Sequence, residues 1–291
     1  GACAISVVAF ASVRDKYNPI QSSVIYSYLS SIICCIPLLA PILGSILTEY
    51  FGWRSNFEFL SLFALLSGLI IIFSLPETLP NNTIQYEKLI TVNRFIPILK
   101  HPIFLFNTMI IMIAMAIILA YVSSSPAWII IQLQQSQEVF VFWFSLNAAV
   151  NIIAYYCTPK VLIKFGVRKT VGFGLNALMA SGVLMLLLES ATSPSGFMLP
   201  VMLSSIGVSL LIGTCLGQAL SPFGKNTGSA SALLGFFQMS GAAILVSLLQ
   251  LLPLNVPEQI TLLIFSVFPA YICRKLPRMN EIIYPIPVEK L

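Results

Sequence analysis

The chain has 291 residues, of which 58% are hydrophobic and only 9% are charged, whereas soluble domains carry about 25% charged residues. This composition excludes an ordinary soluble domain and indicates a protein that lies in a lipid bilayer. The formal net charge is +5, but the basic residues lie in separated short loops, so we expect no nucleic-acid partner.

Apolar runs follow one another along most of the chain. An α-helix needs roughly 20 apolar residues to cross a bilayer core about 30 Å thick. A first apolar stretch, Gly1–Val13, is too short for a full span. Eight longer runs each predict one membrane-spanning helix: Ser22–Leu47, Asn56–Leu75, Ile103–Tyr121, Val139–Tyr156, Thr170–Leu188, Phe197–Gln218, Ser229–Leu251 and Gln259–Cys273. The predicted fold class is an all-α polytopic membrane protein.

The stretch Gly1–Val13 runs directly into the polar triplet Arg14, Asp15 and Lys16. Such a stretch is typical of the second half of a helix that ends at a membrane surface. We therefore expect the chain to be a fragment that lacks about three and a half preceding helices.

A long polar connection at Pro76–Pro102 divides the chain, since its four prolines interrupt any helix. Two full spans and the partial one precede it, and six spans follow it. We accordingly expect four parts: a remnant of an N-terminal bundle (residues 1–75), a central loop (76–102), a six-helix C-terminal bundle (103–273) and a tail (274–291).

The basic residues predict the orientation of these helices. Threading the chain through a membrane places only Arg54 on one side, and the other fourteen of the fifteen Lys and Arg residues on the opposite side. Short loops that are rich in Lys and Arg stay in the cytoplasm. The central loop and the C-terminus are therefore predicted to be cytoplasmic.

Six sequence segments, taken in chain order, carry a family resemblance. They are Gly1–Asp15, Pro37-Leu-Leu-Ala-Pro-Ile-Leu-Gly44, Phe51-Gly-Trp-Arg54, Leu75-Pro-Glu-Thr-Leu79, Gln218-Ala-Leu-Ser-Pro-Phe223 and Gly228-Ser-Ala-Ser-Ala-Leu-Leu-Gly235. Through them the chain resembles the major facilitator superfamily, and within it the Bcr/CflA-type drug:proton antiporters. The resemblance implies a major facilitator fold with an incomplete N-terminal bundle and a complete six-helix C-terminal bundle.

The segment that starts at Pro37 resembles the antiporter motif of the family's fifth helix, which the resemblance implies separates exporters from importers. Pro37 and Pro41 each remove a backbone donor, and Gly44 lets a neighbouring helix approach closely. We expect a bent, closely packed helix at a joint between the two bundles. The sequence departs from the motif at Ala40 and Ser45, where glycine is common. An ordinary proline-containing membrane helix is the alternative.

The segment Pro159–Lys169 is similar to the superfamily's cytoplasmic helix-connecting motif. Gly166 is predicted to make the tight turn, while Lys164, Arg168 and Lys169 lie at lipid headgroups or against the neighbouring bundle. Ile163 replaces the usual aspartate, which excludes the charge-relay version of the motif. A basic loop that serves only the topology is the alternative.

Polar and aromatic side chains inside the spans are candidates for a substrate cavity, because they are costly when they face lipid. Trp143, Asn147, Asn151 and Tyr155 are four residues apart and share one face of a helix. Further candidates are Tyr26, Tyr28, Asn107, Gln218 and Gln238, together with the flexible Met109, Met112 and Met115. The alternative is that the amides form hydrogen bonds with neighbouring helices.

No acidic residue lies deep in a predicted span, although a proton antiporter needs a titratable group in its pathway. Glu58, just inside one span, is the candidate that the chain offers. His101 is expected at the surface of the central loop. Since no metal-binding or catalytic motif such as HExxH is present, we expect no metal, no cofactor and no enzymatic activity.

These observations predict a secondary transporter that exports small amphipathic or cationic drug-like molecules by alternating access, driven by proton entry. The resemblance implies a monomeric, multi-pass protein of the bacterial inner membrane. A non-transporting remnant or scaffold, or an intramembrane enzyme, are the alternatives. We also expect that the 291 residues by themselves do not perform coupled antiport.

Overall fold

The computed structural model describes residues 2–74, 95–188, 193–223 and 226–275. Regular structure within these ranges is entirely helical. The α-helices are α1 (Ala2–Lys16), α2 (Pro19–Phe51), α3 (Ser55–Ser74), α4 (Ile96–Leu99), α5 (Pro102–Pro126), α6 (Gln137–Leu187), α7 (Pro194–Leu220), α8 (Thr227–Phe236), α9 (Ala242–Gln250), α10 (Val256–Phe265) and α11 (Phe268–Lys275). Most of the predicted central loop lies outside the described residues.

Six helical segments in the described part of the chain are long and apolar enough to cross a membrane. They are Ser55–Ser74, Pro102–Gln132, Gln137–Leu187, Pro194–Leu220, Thr227–Gln250 and Val256–Arg274. The predicted all-α polytopic membrane fold is confirmed.

The range labelled α6 consists of two helices that are divided at Gly166, the residue predicted to make the turn, and only the longer loop expected between the two spans is not seen. The segment Pro159–Lys169 was expected to be a connection, but it is helical on both sides of Gly166. Gly166 alone leaves helical geometry, with φ of 75° and ψ of 167°. The turn between the two helices therefore consists of one residue. Its backbone conformation is almost restricted to glycine.

Three other spans also depart from their predicted form. Helix α5 continues past Tyr121 to Pro126 and then into a π-helical turn, Ala127–Gln132. A second π-helical turn, Phe237–Gly241, separates α8 from α9. Helices α10 and α11 share the last predicted span and are separated by a turn. Hydrophobicity measures the length of an apolar run but does not register such local changes of helical winding.

Helix α7 lies at the centre of the fold, and most of its side chains are buried. Helices α2, α5 and α6 pack around it. Helix α3 packs only weakly against α2, and Ser55 is its one buried residue. The other side chains of α3 are half-buried or exposed in the described part of the chain.

Contacts between the helix ends sort these ends onto two faces. Three contacts lie at one face: Arg14 with Ser221, His101 with Phe223, and Arg274 with Gly172. At the opposite face, the rings of Trp128 and Phe197 have centroids 6.3 Å apart. The first face is the one that the basic residues predict to be cytoplasmic, and we call it the basic face.

Candidate functional site

The polar stripe predicted on α6 faces α7. Asn147 is 2% exposed, and its Oδ1 accepts a hydrogen bond of 3.0 Å from Ser205 Oγ. One turn further, Asn151 Oδ1 accepts a bond of 3.4 Å from Ser209 Oγ. Tyr155 is buried on the same face. The four-residue spacing of the stripe on α6 thus meets an equal spacing of serines on α7.

Further hydroxyl groups extend this polar seam toward the basic face. Thr158 Oγ1 donates to Ser209 O at 3.3 Å and to Ala154 O at 2.8 Å within its own helix. Ser209 Oγ also donates to Ser205 O at 2.8 Å. Because these hydroxyls bond the backbone of their own helices as well, no buried donor among them is left without an acceptor.

Helix α7 carries a stripe of small residues that the sequence analysis did not identify: Ser205, Ser209, Gly213 and Gly217. The two serines face α6, and the two glycines face α2, at Ser27 and Ser23. A Cβ atom at Gly213 would lie 2.8 Å from Ser27 Cα, and one at Gly217 would lie 2.8 Å from Ser23 Cα. The four-residue spacing was visible in the sequence and would have predicted close helix contacts.

The sharp start of α2 positions Ser23 and Ser27. Asn18 Oδ1 accepts from the backbone N–H of Gln21 at 2.9 Å, and Gln21 Oε1 accepts from the N–H of Asn18 at 3.3 Å. With Pro19 as the first helical residue, this capping box fixes where α2 begins after α1. The small residues of α2 are thereby placed level with the end of α7.

Three other predicted cavity residues, Tyr26, Asn107 and Gln238, are buried between helices, whereas Tyr28 and Met109 are exposed. Tyr26 is 1% exposed and donates from Oη to Phe10 O at 2.7 Å. Asn107 is buried and donates from Nδ2 to Ile103 O at 2.8 Å. Gln238 is buried in the π-helical turn Phe237–Gly241. The Tyr26 bond joins two helices, as the alternative of hydrogen bonds with neighbouring helices requires. Asn107 instead bonds its own helix, and its buried Oδ1 has no hydrogen-bond partner.

Trp143 and Asn151 are only half-buried, so they are the members of the α6 stripe with surface to offer a ligand. A depression of about 720 Å³ opens near the start of the same helix, and its walls include Ser136, Glu138 and Phe142. None of its lining residues was predicted. A cavity role for the stripe remains a prediction.

The predicted antiporter motif lies in the middle of α2, which continues as a helix through Pro37, Ala40 and Pro41. The side chains of these three residues lie outside the described part of the structure. Gly44 faces α3, and a Cβ at this position would lie 3.5 Å from Asn56 Oδ1. Ordinary van der Waals contact therefore suffices at this point of the α2–α3 packing.

Of the predicted loop motif, Lys164, Arg168 and Lys169 are exposed at the basic face. Lys164 Nζ lies 5.4 Å from the ring centroid of Phe165. Gly166 makes the turn between them. Exposed basic side chains at this position are suited to lipid phosphate groups.

Arg14 and Asp15 end α1 at the same face. Arg14 donates from Nη2 to Ser221 O at 2.8 Å and from Nε to Leu220 O at 3.4 Å. Burial raises the pKa of the Asp15 carboxyl above its usual value, and the adjacent Arg14 guanidinium offsets part of the rise. The polar triplet that was expected to follow the apolar stretch thus belongs to α1, and Arg14 takes part in its packing.

Two titratable residues were singled out from the sequence. Glu58 lies exposed in the first turn of α3. His101 was expected at the surface, and this expectation is wrong. Its ring is half-buried and lies edge-on to the ring of Phe223 at 5.3 Å, and its Nδ1 is buried without a hydrogen-bond partner. The aromatic ring that covers it is distant in sequence, so the local polarity around His101 gave no indication of this contact.

No cluster of three or more potential metal ligands occurs among the described residues. The expectation of no metal and no cofactor stays a prediction.

Comparisons with known proteins place this arrangement among membrane transporters. The family model described as Major Facilitator Superfamily matches residues 1–246. The chain is similar to the multidrug resistance protein MdtL of Salmonella paratyphi A (strain ATCC 9150 / SARB42), at 28% identity, over 92% of this chain and 70% of that protein. MdtL of Salmonella typhi shows the same identity and coverage.

Two solved structures share the fold. One is described as a bacterial homologue of the iron transporter ferroportin in an outward-facing state, with a TM-score of 0.64 and 17% identity. The other is the same kind of homologue with soaked iron, with a TM-score of 0.58 and 18% identity. Each match covers 92% of this chain, which spans 65% and 64% of the two solved chains.

Proposed function

Because the chain belongs to the major facilitator superfamily, we propose that it forms a secondary transporter that exports drug-like molecules in exchange for protons. The observation that carries this proposal is the similarity to MdtL multidrug resistance proteins along 92% of the chain. Family membership also favours a transporter over the alternative of an intramembrane enzyme.

The proposed transport mechanism is alternating access between two helical bundles. Residues 1–75 would belong to the N-terminal bundle and residues 103–273 to the C-terminal bundle. In this division, the packing of α2 against α6 and α7 is the interface between the two groups of helices. We further propose that the protein acts as a monomer.

The proposed location is the bacterial inner membrane, with the basic face and the C-terminus in the cytoplasm. The sorting of Arg14, His101 and Arg274 onto one face supports a common side for these helix ends. The excess of Lys and Arg at this face supports its assignment to the cytoplasm.

For the substrate we propose small amphipathic or cationic molecules that contact Trp143 and Asn151 on α6. The indole face of Trp143 suits a cationic ligand, and the half-buried amide of Asn151 offers a hydrogen bond. Proton coupling is part of the proposal, and Glu58 is the candidate carboxylate among the described residues.

Expression in a bacterium without its major efflux pumps tests the proposal, with the 291 residues expressed alone and together with the preceding helices of the N-terminal bundle. From the 291 residues alone we expect no resistance and no proton-dependent efflux. With the preceding helices we expect resistance to cationic dyes and efflux of ethidium that stops when an uncoupler collapses the proton gradient. Ethidium accumulation equal to that of the empty vector in both cases would favour the remnant or scaffold alternative.

A matched pair of variants tests the substrate contact. Asn151→Ala is expected to lower ethidium efflux several-fold at unchanged protein level, because it removes a polar group from the proposed path. Ile153→Ala on the same helix alters a side chain that is 62% exposed and is expected to leave efflux unchanged. Equal efflux by both variants would remove Asn151 from the path.

A further inference from the structure

The end of α7 is held by a residue from another part of the chain. The last carbonyl groups of a helix have no partner within the helix. In α7, Leu220 O and the following Ser221 O accept hydrogen bonds from Nε and Nη2 of Arg14, at 3.4 and 2.8 Å. Because a cation also interacts favourably with the negative end of a helix dipole, Arg14 is matched to this position in both geometry and charge.

The same guanidinium is tied to its own side of the contact. Arg14 Nη1 donates to Tyr17 O at 3.1 Å, in the connection between α1 and α2. One side chain therefore joins the end of α1, the start of α2 and the end of α7. This arrangement links the two groups of helices at the basic face.

Next to Arg14, α2 and α7 touch almost backbone to backbone. A Cβ atom at Gly217 would overlap Ser23 Oγ, and one at Gly213 would overlap Ser27 Oγ. Among the described side chains of α2, the buried ones all lie between Ser22 and Ser27. The tight part of the contact is thus at the basic face, and the side chains described beyond it are less covered.

This close seam has few directional bonds of its own. Ser23 Oγ donates to Pro19 O at 2.9 Å, and Ser27 Oγ donates to Ser23 O at 2.9 Å, both within α2. The bond from Ser23 Oγ to Thr214 O crosses the seam at 3.4 Å and is the longer of the two that Ser23 makes. Both serine hydroxyls would therefore keep an acceptor within α2 if α2 separated from α7.

We propose that Arg14 is the latch of the cytoplasmic gate: its bonds to the end of α7 hold the Ser23–Gly217 and Ser27–Gly213 seam closed, and their release opens the basic face. The proposal rests on the alternating-access function proposed above. Release of Arg14 from α7 breaks charge-assisted hydrogen bonds and therefore costs free energy. Opening of the Ser23–Gly217 and Ser27–Gly213 contacts leaves both serine hydroxyls with their acceptors in α2. Arg14 acts as a positioning residue that biases the gate without touching substrate.

Distance measurements between spin labels test the latch in purified protein. In a variant with its six native cysteines replaced, labels on Tyr17→Cys and Gly228→Cys report the separation of the two sides, since both positions are exposed. We expect a short distance in the reference protein. Arg14→Gln is expected to raise the ratio of open to closed populations about tenfold, the equivalent of one charge-assisted hydrogen bond.

Lys16→Gln is the matched control, because it removes an exposed cation at the same helix end. We expect its distance distribution to equal that of the reference protein. If Arg14→Gln and Lys16→Gln give the same distribution, the latch is refuted, even when the protein exports dye. A change only in Arg14→Gln supports the latch, even when dye export fails.

A second pair of variants keeps the test valid if Arg14→Gln does not fold. Gly217→Ala adds a methyl group against Ser23 and is expected to increase the open population, whereas Gly235→Ala meets open space and is expected to change nothing. Arg14→Lys keeps the positive charge but loses the several planar donors of the guanidinium. Its open population is expected to lie between those of the reference protein and Arg14→Gln. An unchanged closed population in both Gly217→Ala and Arg14→Lys would overturn the proposal.

Discussion

At the scale of single residues, small side chains decide which helices touch. Apolar side chains gain little by leaving lipid for another helix, so small residues and hydrogen bonds direct helix association in a membrane. The α7 stripe shows both effects. Ser205 and Ser209, the half farther from the basic face, donate hydrogen bonds to the amides of α6. Gly213 and Gly217, the half nearer the basic face, allow the backbone of α2 to approach closely.

The Asn147–Ser205 bond allows a direct prediction about stability. In a double-mutant cycle of Asn147→Ala and Ser205→Ala, we expect a coupling free energy of about 0.6 kcal/mol, and not above about 1.7 kcal/mol, as for other hydrogen bonds between membrane helices. Unfolding in mixed detergent micelles measures it. The Asn151–Ser209 pair, with its bond of 3.4 Å, is the control and should couple more weakly. Additive single effects at Asn147 and Ser205 would contradict the bond.

At the scale of elements, two turns share the local sequence Phe-Gly-X-Arg, where X is any residue. Phe51-Gly-Trp-Arg54 joins α2 to α3, and Phe165-Gly-Val-Arg168 divides α6. Gly52 has φ of 79° and ψ of 166°, and Gly166 has φ of 75° and ψ of 167°. The two turns lie at opposite faces of the predicted topology. At both membrane faces, a glycine two residues before an arginine thus changes the chain direction with the same backbone conformation.

Gly52 separates backbone strain from steric overlap. A Cβ atom at Gly52 would meet nothing within 4 Å, so Gly52→Ala tests the backbone conformation alone. We expect a loss of about 1 to 3 kcal/mol of stability, because alanine rarely adopts this geometry. Thermal unfolding in detergent gives the comparison.

Gly68 in α3 is the control for this substitution. It also faces open space, but it lies inside a helix. Alanine is favoured over glycine in helices by about 1 kcal/mol, so Gly68→Ala should be neutral or stabilising. A Gly52→Ala protein as stable as the Gly68→Ala protein would contradict the inferred strain.

At the scale of the whole molecule, the helix ends are sorted between two faces, and the basic residues orient these faces. The contacts of Arg14, His101 and Arg274 are all at the basic face. Packing alone does not distinguish the cytoplasm from the outside, because a bundle is equally well packed in either orientation. The orientation depends on charge.

Labelling from outside the cell tests the orientation. A cysteine at Gln135, in the connection between α5 and α6, is expected to react with a membrane-impermeant thiol reagent. A cysteine at Gln85, in the predicted central loop outside the described residues, is expected to react only after the membrane is permeabilised. The reverse pattern would invert the topology.

The sequence by itself determined the membrane class, the approximate positions of the apolar helices and the family. These properties are local, because crossing a bilayer depends on the length and polarity of one segment at a time. The turn at Gly166 is also local, since few other residues adopt its backbone conformation. The shortness of that turn was not predicted, because polar residues around Pro159 indicate a membrane surface but do not show at which residue the helix ends.

Only the tertiary structure decided what the polar stripes face. The sequence pattern around Asn147 is the same whether its side chain lines a cavity or bonds a serine on α7. Which of these roles it has depends on the helix packed against it. The same holds for His101 beneath Phe223 and for Arg14 at the end of α7. The partners lie between 58 and 207 residues away in the chain. Contact between helices depends on shape and register, which no single segment contains.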